Sequence, residues 1–312
     1  HLRDRATELE ILINEALFSS TRMVASTLVS SNHRILNGRR FSTLFIDEAA
    51  QALEAACWIA IRKADRVIFA GDHCQLPPTI KCIEAARGGL DHTLMEKVVA
   101  NKPISVSLLK VQYRMNESIM RFPSEWFYNN QLESAPEIRQ RGILDFDTPM
   151  IWIDTSEMEC HEEFVGESFG RINKPEANLL LQELESYIQK IGENRVLDEQ
   201  IDFGLISPYK AQVQYLRNKI KSNSFFRRFR PLITVNTVDG FQGQERDVIF
   251  ISLVRANESG QIGFLNDLRR MNVAITRARM KLVILGNATT LTKHTFYHKL
   301  MEYIQKETAI RL

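Results

Sequence analysis

The 312-residue chain contains few cysteines, no long apolar run and almost no net charge. Its four cysteines stand far apart without a C-x-x-C pair, which favours free thiols in a reducing compartment over a disulfide framework. No window approaches the roughly 20 consecutive apolar residues of a membrane span, and residues 1–20 lack the short apolar core of a signal peptide. We therefore expect a cytoplasmic protein with no membrane partner, and the same features are compatible with a nuclear location.

The 40 basic and 38 acidic side chains leave a net charge of only +2. This balance neither requires nor excludes a nucleic-acid partner, because a local basic stripe can provide the electrostatic contact. The segment Phe225–Arg230 interleaves phenylalanines with arginines, a pattern suited to stacking bases and holding phosphates. It is equally suited to a helix-to-strand connection that buries its phenylalanines and solvates its arginines. The sequence leaves both interpretations open.

Short apolar, β-branched runs alternate with amphipathic stretches along nearly the whole chain. The predicted strands are Thr43–Ile46, Val67–Ala70, Ile104–Leu109, Met150–Ile153, Phe203–Ile206, Leu232–Val235, Val248–Val254 and Leu282–Leu285. The predicted helices are Arg5–Leu17, Gln51–Ile61, Thr93–Val99, Pro175–Ile191, Tyr209–Lys221, Leu268–Ala278 and Leu291–Gln305. Strand–helix alternation with unbroken apolar strands predicts an α/β fold, with parallel sheets covered on both faces. Because single cores rarely exceed roughly 250–300 residues, we predict two domains, residues 1–103 and 104–312, divided at the polar break that ends at Pro103.

Two adjacent carboxylates, Asp47 and Glu48, follow the apolar strand that ends at Ile46. Open α/β sheets bind ligands at the carboxyl ends of their strands. Nucleotide hydrolysis needs two acids there, one to hold Mg²⁺ through its water shell and one to orient and deprotonate the attacking water. An acidic helix N-cap is the structural alternative, because carboxylates also suit the positive end of a helix.

A second apolar strand leads into Gly71-Asp72, then Gln75 and the pair Pro77-Pro78. A neutral amide at the end of a neighbouring strand can bond a terminal phosphate or the attacking water without adding charge. When that phosphate leaves, the lost contact can be relayed onward, and the two prolines stiffen the loop that would carry the signal.

Two separated arginines, Arg114 and Arg277, lie in the predicted second domain. Guanidinium groups stabilise the charge of a transferring phosphate and make catalysis depend on closure of an interdomain cleft. Taken singly, each arginine is more often a surface or ion-pair residue.

Five segments in a fixed order closely resemble the up-frameshift-like branch of superfamily 1 helicases, the group that includes the nonsense-mediated-decay helicase. They read DEAAQ, GDHCQLPP, QYRM, DGFQGQE and NVAITRAR, within a resemblance from about Thr21 to about Tyr303. Further matching segments are SPYKAQ from Ser207, N-x-x-E-A from Asn173 and IGFLND from Ile262. One such motif alone would be weak, whereas the ordered set is specific. The resemblance implies two RecA-like domains, the first incomplete at its N-terminus, with ATP and Mg²⁺ bound between them.

The resemblance also implies roles for individual residues. Asp47 would be the Mg²⁺ carboxylate, Glu48 the general base and Gln75 the sensor of the γ-phosphate. Arg114 and Arg277 would be paired arginine fingers.

Further residues would contact the nucleotide in such a helicase. Tyr113 would lie beside the adenine and Glu245 would contact the ribose, with Gly243 allowing close approach of the backbone. Arg279 is a weaker candidate for the phosphate, since it could instead support the fold through an ion pair.

Single-stranded RNA or DNA is the implied partner, with translocation in the 5′→3′ direction. Pro208, Tyr209 and Thr237 would touch the nucleic-acid backbone. Pro77 and Pro78 would lie in the loop that links hydrolysis to that strand. The sequence does not distinguish RNA from DNA, and it names no protein partner.

One element of such a helicase is missing: none of the 14 glycines completes the phosphate-binding pattern G-x-x-x-x-G-K-[ST]. In the family this loop precedes the DEAAQ strand, and only 46 residues precede Asp47 here. We therefore expect a motor fragment that is inactive alone. Two alternatives remain: a non-catalytic nucleic-acid-binding or scaffolding module, and the motor half of a helicase–nuclease fusion.

Overall fold

The computed structural model describes residues 2–159, 161–166 and 170–311. The chain forms two compact units, His1–Val106 and Ser107–Leu312, whereas the sequence-based division falls after Pro103. Cys57, Cys74 and Cys82 are free thiols, of which only Cys57 is buried. Cys160, the fourth cysteine expected to be free, lies outside the described residues. No helix in the described part of the chain has the length and apolar character needed to cross a membrane.

The smaller unit contains a two-stranded parallel sheet among its helices. Its elements are α1 (Leu2–Ser20), β1 (Phe41–Ile46), α2 (Glu54–Ile61), β2 (Ala64–Phe69), α3 (Ile83–Ala85) and α4 (Leu94–Asn101). Strand β1 pairs with β2 from Phe41 opposite Ala64 to Ile46 opposite Phe69. Ile46, Ala49 and Cys57 form the buried centre of this unit.

The larger unit is built on a five-stranded sheet. Its first elements are β3 (Val111–Gln112), α5 (Glu117–Phe127), β4 (Glu133–Ser134), β5 (Met150–Asp154), β6 (Glu163–Val165), β7 (Gly170–Ile172), α6 (Lys174–Ile191) and α7 (Glu193–Asp198). The remainder are β8 (Phe203–Ser207), α8 (Lys210–Ser222), β9 (Ile233–Thr237), β10 (Arg246–Ser252), α9 (Leu268–Ile275), β11 (Ala278–Gly286), α10 (Ala288–Leu291) and α11 (Thr295–Arg311). The strand order is β5-β11-β10-β8-β9, and every pairing in this sheet is parallel.

Helices bury the central strands of this sheet on both faces. All residues of β8 are buried, and successive side chains of a strand point to opposite faces. Phe203 and Leu205 of β8 pack in one core with Phe250 of β10 and with Leu180 and Leu184 of α6. The predicted α/β fold with a parallel sheet is therefore confirmed. In β1, by contrast, Phe45 is 69% exposed, so the predicted cover on both faces is incomplete in the smaller sheet.

Because its strands are all parallel, the five-stranded sheet has all strand N-termini at one end and all strand C-termini at the other. These two ends, not the outermost strands, are called the N-terminal edge and the C-terminal edge below. At the N-terminal edge, where the strands begin, lie Arg246 and Ala278, which are paired in the register of β10 and β11. At the C-terminal edge, where the strands end, lie Ser207 and Thr237, which are paired in the register of β8 and β9. Residues 238–245 join the end of β9 to the start of β10 and therefore run from the C-terminal edge to the N-terminal edge.

Several predicted elements have different bounds in the structure; the helix predicted to begin at Leu291, for example, begins at Thr295. The strand predicted over Ile104–Leu109 is wrong: a 3-10 turn spans Pro103–Ser105, and in the described part of the chain residues 106–109 pair with no strand. Ile104 is 98% exposed, so this apolar run lacks the neighbour that would make it a strand. The helix predicted to reach Ala278 ends at Ile275, because Ala278 begins β11 and the Arg246 N–H donates to the Arg277 carbonyl at 2.9 Å.

Candidate nucleotide and nucleic-acid sites

The predicted acidic pair lies at the carboxyl end of β1, and both side chains are exposed. Glu48 takes a left-handed backbone conformation with φ of 50°, uncommon for a residue other than glycine. This bend directs the chain back, so that the Ala49 N–H donates to the Ala70 carbonyl at 2.9 Å. The loops that follow β1 and β2 therefore meet at one edge of the sheet.

Gly71 permits this close approach. A Cβ at position 71 would lie 3.0 Å from the Ala49 nitrogen and 3.1 Å from the Ala50 nitrogen, closer than real Cβ atoms normally approach backbone. A side chain at position 71 would therefore need the backbone at Ala49 and Ala50 to move by a few tenths of an ångström.

The side chains of these loops are held by short local hydrogen bonds. Asp47 accepts from the Glu48 N–H at 2.9 Å, and Glu48 accepts from the Gln51 amide at 2.6 Å. The Gln75 amide donates to Asp72 at 2.8 Å. An exposed carboxylate such as that of Asp47, with one oxygen unused by its backbone contact, supplies the hard oxygen ligand that Mg²⁺ prefers. The smaller unit thus presents two acids and one amide on adjoining loops.

The proline pair continues from this loop into the interior. Leu76 and Pro78 are buried, and Pro77 is half-buried. The loop is therefore anchored by packing on both sides of Pro77, as a stiff connection requires.

In the larger unit, two arginines converge on Glu245 at the N-terminal edge. The Arg114 Nε donates to Glu245 Oε2 at 2.5 Å, and the Arg279 Nε donates to Glu245 Oε1 at 2.9 Å. Arg279 also donates to Asp247 at 3.1 Å, and Arg114 donates to the Thr276 carbonyl at 3.2 Å. Both arginine side chains stay about one-third exposed. This group, Arg114, Glu245, Asp247 and Arg279, is called the arginine cluster below.

The contacts within the arginine cluster favour the charged forms of Glu245 and Arg279. Burial acts to raise the pKa of Glu245, but the hydrogen bonds from Arg114 and Arg279 outweigh it and hold the pKa below its usual value. Burial acts to lower the pKa of Arg279, and the contacts with Asp247 and Glu245 raise it overall. The cluster is an ionic network open to solvent on one side.

Arg277 lies in the same motif as Arg279 but in a different environment. It is 2% exposed. Its Nε donates to the Val273 carbonyl at 3.0 Å and its Nη1 to the Gln244 carbonyl at 3.1 Å, while Nη2 donates to the Thr276 hydroxyl at 3.1 Å. Arg277 therefore holds the end of α9 against the backbone next to Glu245.

Tyr113 and Gly243 leave open surface at the same edge. The Tyr113 side chain is 66% exposed. Gly243 has φ of 74°, and a Cβ built there would meet nothing within 4 Å. The glycine is thus required by its backbone conformation and not by crowding.

Sequence patterns gave no indication of Arg141, which also belongs to this region. Burial lowers its pKa, and the next largest influence is the positive charge of Arg279. Its Nε and Nη2 atoms are buried with no hydrogen-bond partner among the described residues. Because Arg141 lies in an irregular segment without a motif, its position becomes visible only in three dimensions.

The residues predicted to contact the nucleic-acid backbone lie at the opposite, C-terminal edge. Thr237 ends β9, and its hydroxyl accepts from the Gly240 N–H at 3.4 Å. Pro208 is half-buried and Tyr209 is buried. The Tyr209 ring packs on Phe264 with centroids 5.7 Å apart, so Phe264 covers it from solvent.

A fully buried polar network supports this edge from below. Glu176 accepts hydrogen bonds from the Ser252 hydroxyl at 2.5 Å and from the Val254 N–H at 2.8 Å. Gln212 donates to Ser252 and to the Asn173 carbonyl, both at 2.9 Å. Burial raises the pKa of Glu176 to about 7, although its hydrogen bonds oppose the rise. Val254 has a φ of 69°, a strained value for a β-branched residue that the Glu176 contact helps to hold.

The phenylalanines of Phe225–Arg230 are taken up by the core. Phe226 and Phe229 are fully buried, and Phe225 packs against the same cluster. The segment precedes β9 and therefore lies toward the N-terminal edge, away from Pro208 and Thr237. The sequence left two interpretations of this segment open. The buried rings agree with the second, a helix-to-strand connection that buries its phenylalanines.

Comparison with known proteins places the chain among ATPase domains of helicases. Residues 90–289 match a family described as AAA domain, and residues 1–82 match a second family with the same description. The chain is 36% identical over 299 residues to an uncharacterised ATP-dependent helicase of Methanocaldococcus jannaschii, covering 94% of this chain and 43% of that protein.

Two eukaryotic proteins are similar over nearly the whole chain. The DNA-binding protein SMUBP-2 of Mesocricetus auratus is 33% identical, covering 97% of this chain and 31% of that protein. The regulator of nonsense transcripts 1 homolog of Arabidopsis thaliana is 36% identical, covering 98% and 24%. The chain thus spans less than half the length of each of these relatives.

Proposed function

The chain belongs to the up-frameshift-like branch of the superfamily 1 helicases, and on that premise we propose that it is motor sequence of an ATP-dependent helicase that moves along single-stranded nucleic acid. The observation that carries the proposal is the contact between the two loops of the smaller unit. Gly71 brings the loop of Asp47 and Glu48 against the loop of Gln75. Two acids and an amide on adjoining loops form the group that hydrolysis of a terminal phosphate requires.

In the proposed reaction, a water attacks the γ-phosphorus of ATP. Glu48 takes a proton from this water, while the bond from the γ-phosphorus to the bridging oxygen breaks and ADP leaves with the electron pair. Mg²⁺, held by Asp47 through its water shell, would neutralise charge on the phosphates. Gln75 would bond the γ-phosphate and lose that contact when the phosphate departs.

The larger unit contributes positive charge and nucleotide recognition in this proposal. Arg114 and Arg277 remain the proposed arginine fingers, and the ion pairs of Arg279 make it a third candidate. Tyr113 would lie beside the adenine and Glu245 beside the ribose. Gly243 keeps the backbone free of a side chain where the nucleotide would approach.

Residues 238–245 would couple ATP hydrolysis to movement of the nucleic-acid strand. They connect Thr237 at the C-terminal edge with Glu245 in the arginine cluster, and buried Phe241 anchors their middle. A shift of Glu245 during the ATP cycle would therefore be transmitted to the edge that contains Pro208, Tyr209 and Thr237.

The finer features follow from family membership as proposals. We propose 5′→3′ movement on single strands of RNA or DNA, and a cytoplasmic location. The similar proteins include both a DNA-binding protein and a regulator of nonsense transcripts, and we propose no choice between RNA and DNA.

The test is the Glu48→Gln variant of the full-length protein. Glutamine keeps the size and hydrogen bonding of glutamate but cannot accept the proton. ATP binding, measured with a fluorescent nucleotide, should stay near the parent value while strand-stimulated hydrolysis falls roughly 10²–10⁴-fold. Hydrolysis at the parent rate would remove Glu48 from the reaction.

A matched control is residues 1–312 alone. Because no glycine in this chain completes the phosphate-binding pattern, we expect no strand-stimulated hydrolysis, and turnover above about 1 s⁻¹, an ordinary enzyme rate, would contradict this. Strand binding without hydrolysis in the full-length protein would favour a scaffolding module. Strand cleavage would favour a helicase–nuclease fusion.

A further inference from the structure

One exposed aromatic ring at the C-terminal edge has no role in the functions described so far. Phe264 is 55% exposed, although it lies in a short 3-10 turn between β10 and α9. Its ring packs on the buried ring of Tyr209 with an angle of 42° between the ring planes. The guanidinium carbon of Arg270 lies 5.8 Å from the centroid of the same ring.

The support beneath Phe264 is rigid. The Tyr209 hydroxyl accepts a hydrogen bond from Arg255 at 3.4 Å, and Arg255 is paired with Glu162 at 2.7 Å. Gly263 lies directly on this pair, since a Cβ there would come within 2.3 Å of an Arg255 nitrogen. Tyr209, on which Phe264 packs, is therefore held by Arg255 and its ion pair with Glu162, while the Phe264 side chain stays 55% exposed.

The neighbours of Phe264 suit a nucleic acid. Tyr209 follows Pro208 at the end of β8, in the region proposed to contact the strand backbone. Lys210, the first residue of α8, is exposed next to Tyr209 and can reach phosphate. An aromatic ring beside a cation binds bases without regard to sequence, because every base has a stacking face.

We propose that Phe264 is a base-stacking platform for a single strand that crosses the C-terminal edge of the five-stranded sheet. The inference rests on the proposed function, because it requires a strand at this edge. It adds a contact to a base, whereas Pro208 and Thr237 are proposed to contact the backbone of the nucleic-acid strand; Tyr209 supports Phe264 from its buried position. Arg270, whose guanidinium carbon lies over the Phe264 ring at 5.8 Å from its centroid, would add cation–π attraction.

The first experiment compares Phe264→Ala with Phe264→Trp in the 312-residue chain. Binding of a labelled oligothymidine and a labelled oligouridine is measured by fluorescence anisotropy at several salt concentrations. Phe264→Ala should weaken binding roughly 5- to 150-fold, the usual effect of removing one stacked aromatic, while Phe264→Trp should bind at least as tightly as the parent. The salt dependence should stay unchanged, because the ring contacts no phosphate.

Phe146→Ala is the matched control. Phe146 is 99% exposed, but it precedes β5 and therefore lies at the N-terminal edge. The control should bind strands like the parent chain. A loss equal to that of Phe264→Ala would mean that any exposed phenylalanine matters, and would overturn the proposal.

A second experiment uses oligonucleotides with one abasic site at successive positions. The parent chain should bind more weakly when the abasic site falls at the one position that would stack on Phe264. Phe264→Ala should bind that oligonucleotide as tightly as it binds the intact one. If the parent binds strands and Phe264→Ala binds equally well, or if the variant stays sensitive to that abasic position, the platform is wrong while strand binding stands. If the parent binds no strand, the proposed function of this edge fails, and the platform fails with it.

Discussion

Arg114 and Arg279 donate hydrogen bonds to the two oxygens of one carboxylate, that of Glu245. The first arginine follows β3 and the second lies in β11, so the carboxylate joins two distant parts of the chain. An ATP phosphate approaching either arginine would compete with Glu245 for the same guanidinium groups. If nucleotide binds here as proposed, the arginine cluster would change its pairing on binding and again when phosphate leaves.

Arg114 and Arg277 should respond differently to substitution in the full-length protein. Arg114→Ala should reduce hydrolysis about 10³–10⁵-fold with little loss of stability. The Arg114 side chain is partly exposed, and Glu245 would still accept its hydrogen bond from Arg279. Arg277→Ala should reduce hydrolysis and also lower the free energy of unfolding by about 2–4 kcal/mol, since it leaves buried carbonyl groups without donors. Steady-state hydrolysis and urea denaturation provide the two measurements.

Strand binding is the control for these arginine variants, since neither Arg114 nor Arg277 lies at the C-terminal edge. If Arg277→Ala hydrolyses ATP like the parent, Arg277 is a structural residue. In that case Arg279→Ala should lose ATP hydrolysis. Arg279→Lys, which preserves the charge, is its control variant.

Gly243→Ala separates backbone conformation from ligand contact. The positive φ of this residue makes alanine unfavourable by about 1 kcal/mol, and the open space around it adds no clash. A larger loss of ATP affinity, with the KM for ATP rising more than tenfold at unchanged strand affinity, is expected if the nucleotide approaches this backbone. A variant with only the small stability loss would show that the nucleotide stays away from Gly243.

Glu176 should make stability depend on pH in a defined direction. Its pKa in the folded state is about 7, against an ordinary value of 4.5. Between these two values the folded protein binds more protons than the unfolded chain, so stability falls as pH rises through this range. The loss is complete above about pH 7 and amounts to roughly 3 kcal/mol.

Glu176→Gln reproduces the protonated acid and should remove this contribution. The difference in unfolding free energy between variant and parent should move in favour of the variant by up to about 3 kcal/mol from pH 5 to pH 8. Urea denaturation of both proteins at matched ionic strength measures it. A constant difference across this pH range would mean that Glu176 does not titrate there.

The two edges of the sheet should contribute unequally to the salt dependence of strand binding. Lys210→Ala removes a charge at the C-terminal edge and should lower the logarithmic salt slope by about 0.7, the value for one phosphate contact on a single strand. The combined change of Arg227, Arg228 and Arg230 to alanine should leave the slope unchanged, although it removes more charge. A larger change in salt slope for the triple variant than for Lys210→Ala would indicate that the nucleic-acid strand binds at the N-terminal edge.

The sequence by itself determined the elements and the order of the motifs. Alternating apolar runs and amphipathic stretches predicted most strands and helices, because burial of a parallel sheet leaves a local record in hydrophobicity. The carboxylates Asp47 and Glu48 were assigned to a strand end from their neighbours alone. The apolar run over Ile104–Leu109 misled the same reasoning, because a strand also needs a partner, and pairing is not a local property.

Only the tertiary structure decided which charged and aromatic side chains are accessible. Arg277 and Arg279 share one motif, yet the first is buried against backbone carbonyls and the second reaches Glu245 and Asp247. Phe226 is buried, whereas Phe264 remains exposed. These differences arise because burial and ion pairing depend on distant segments that the fold brings into contact, and the free energy of a charge or a ring is set by those neighbours.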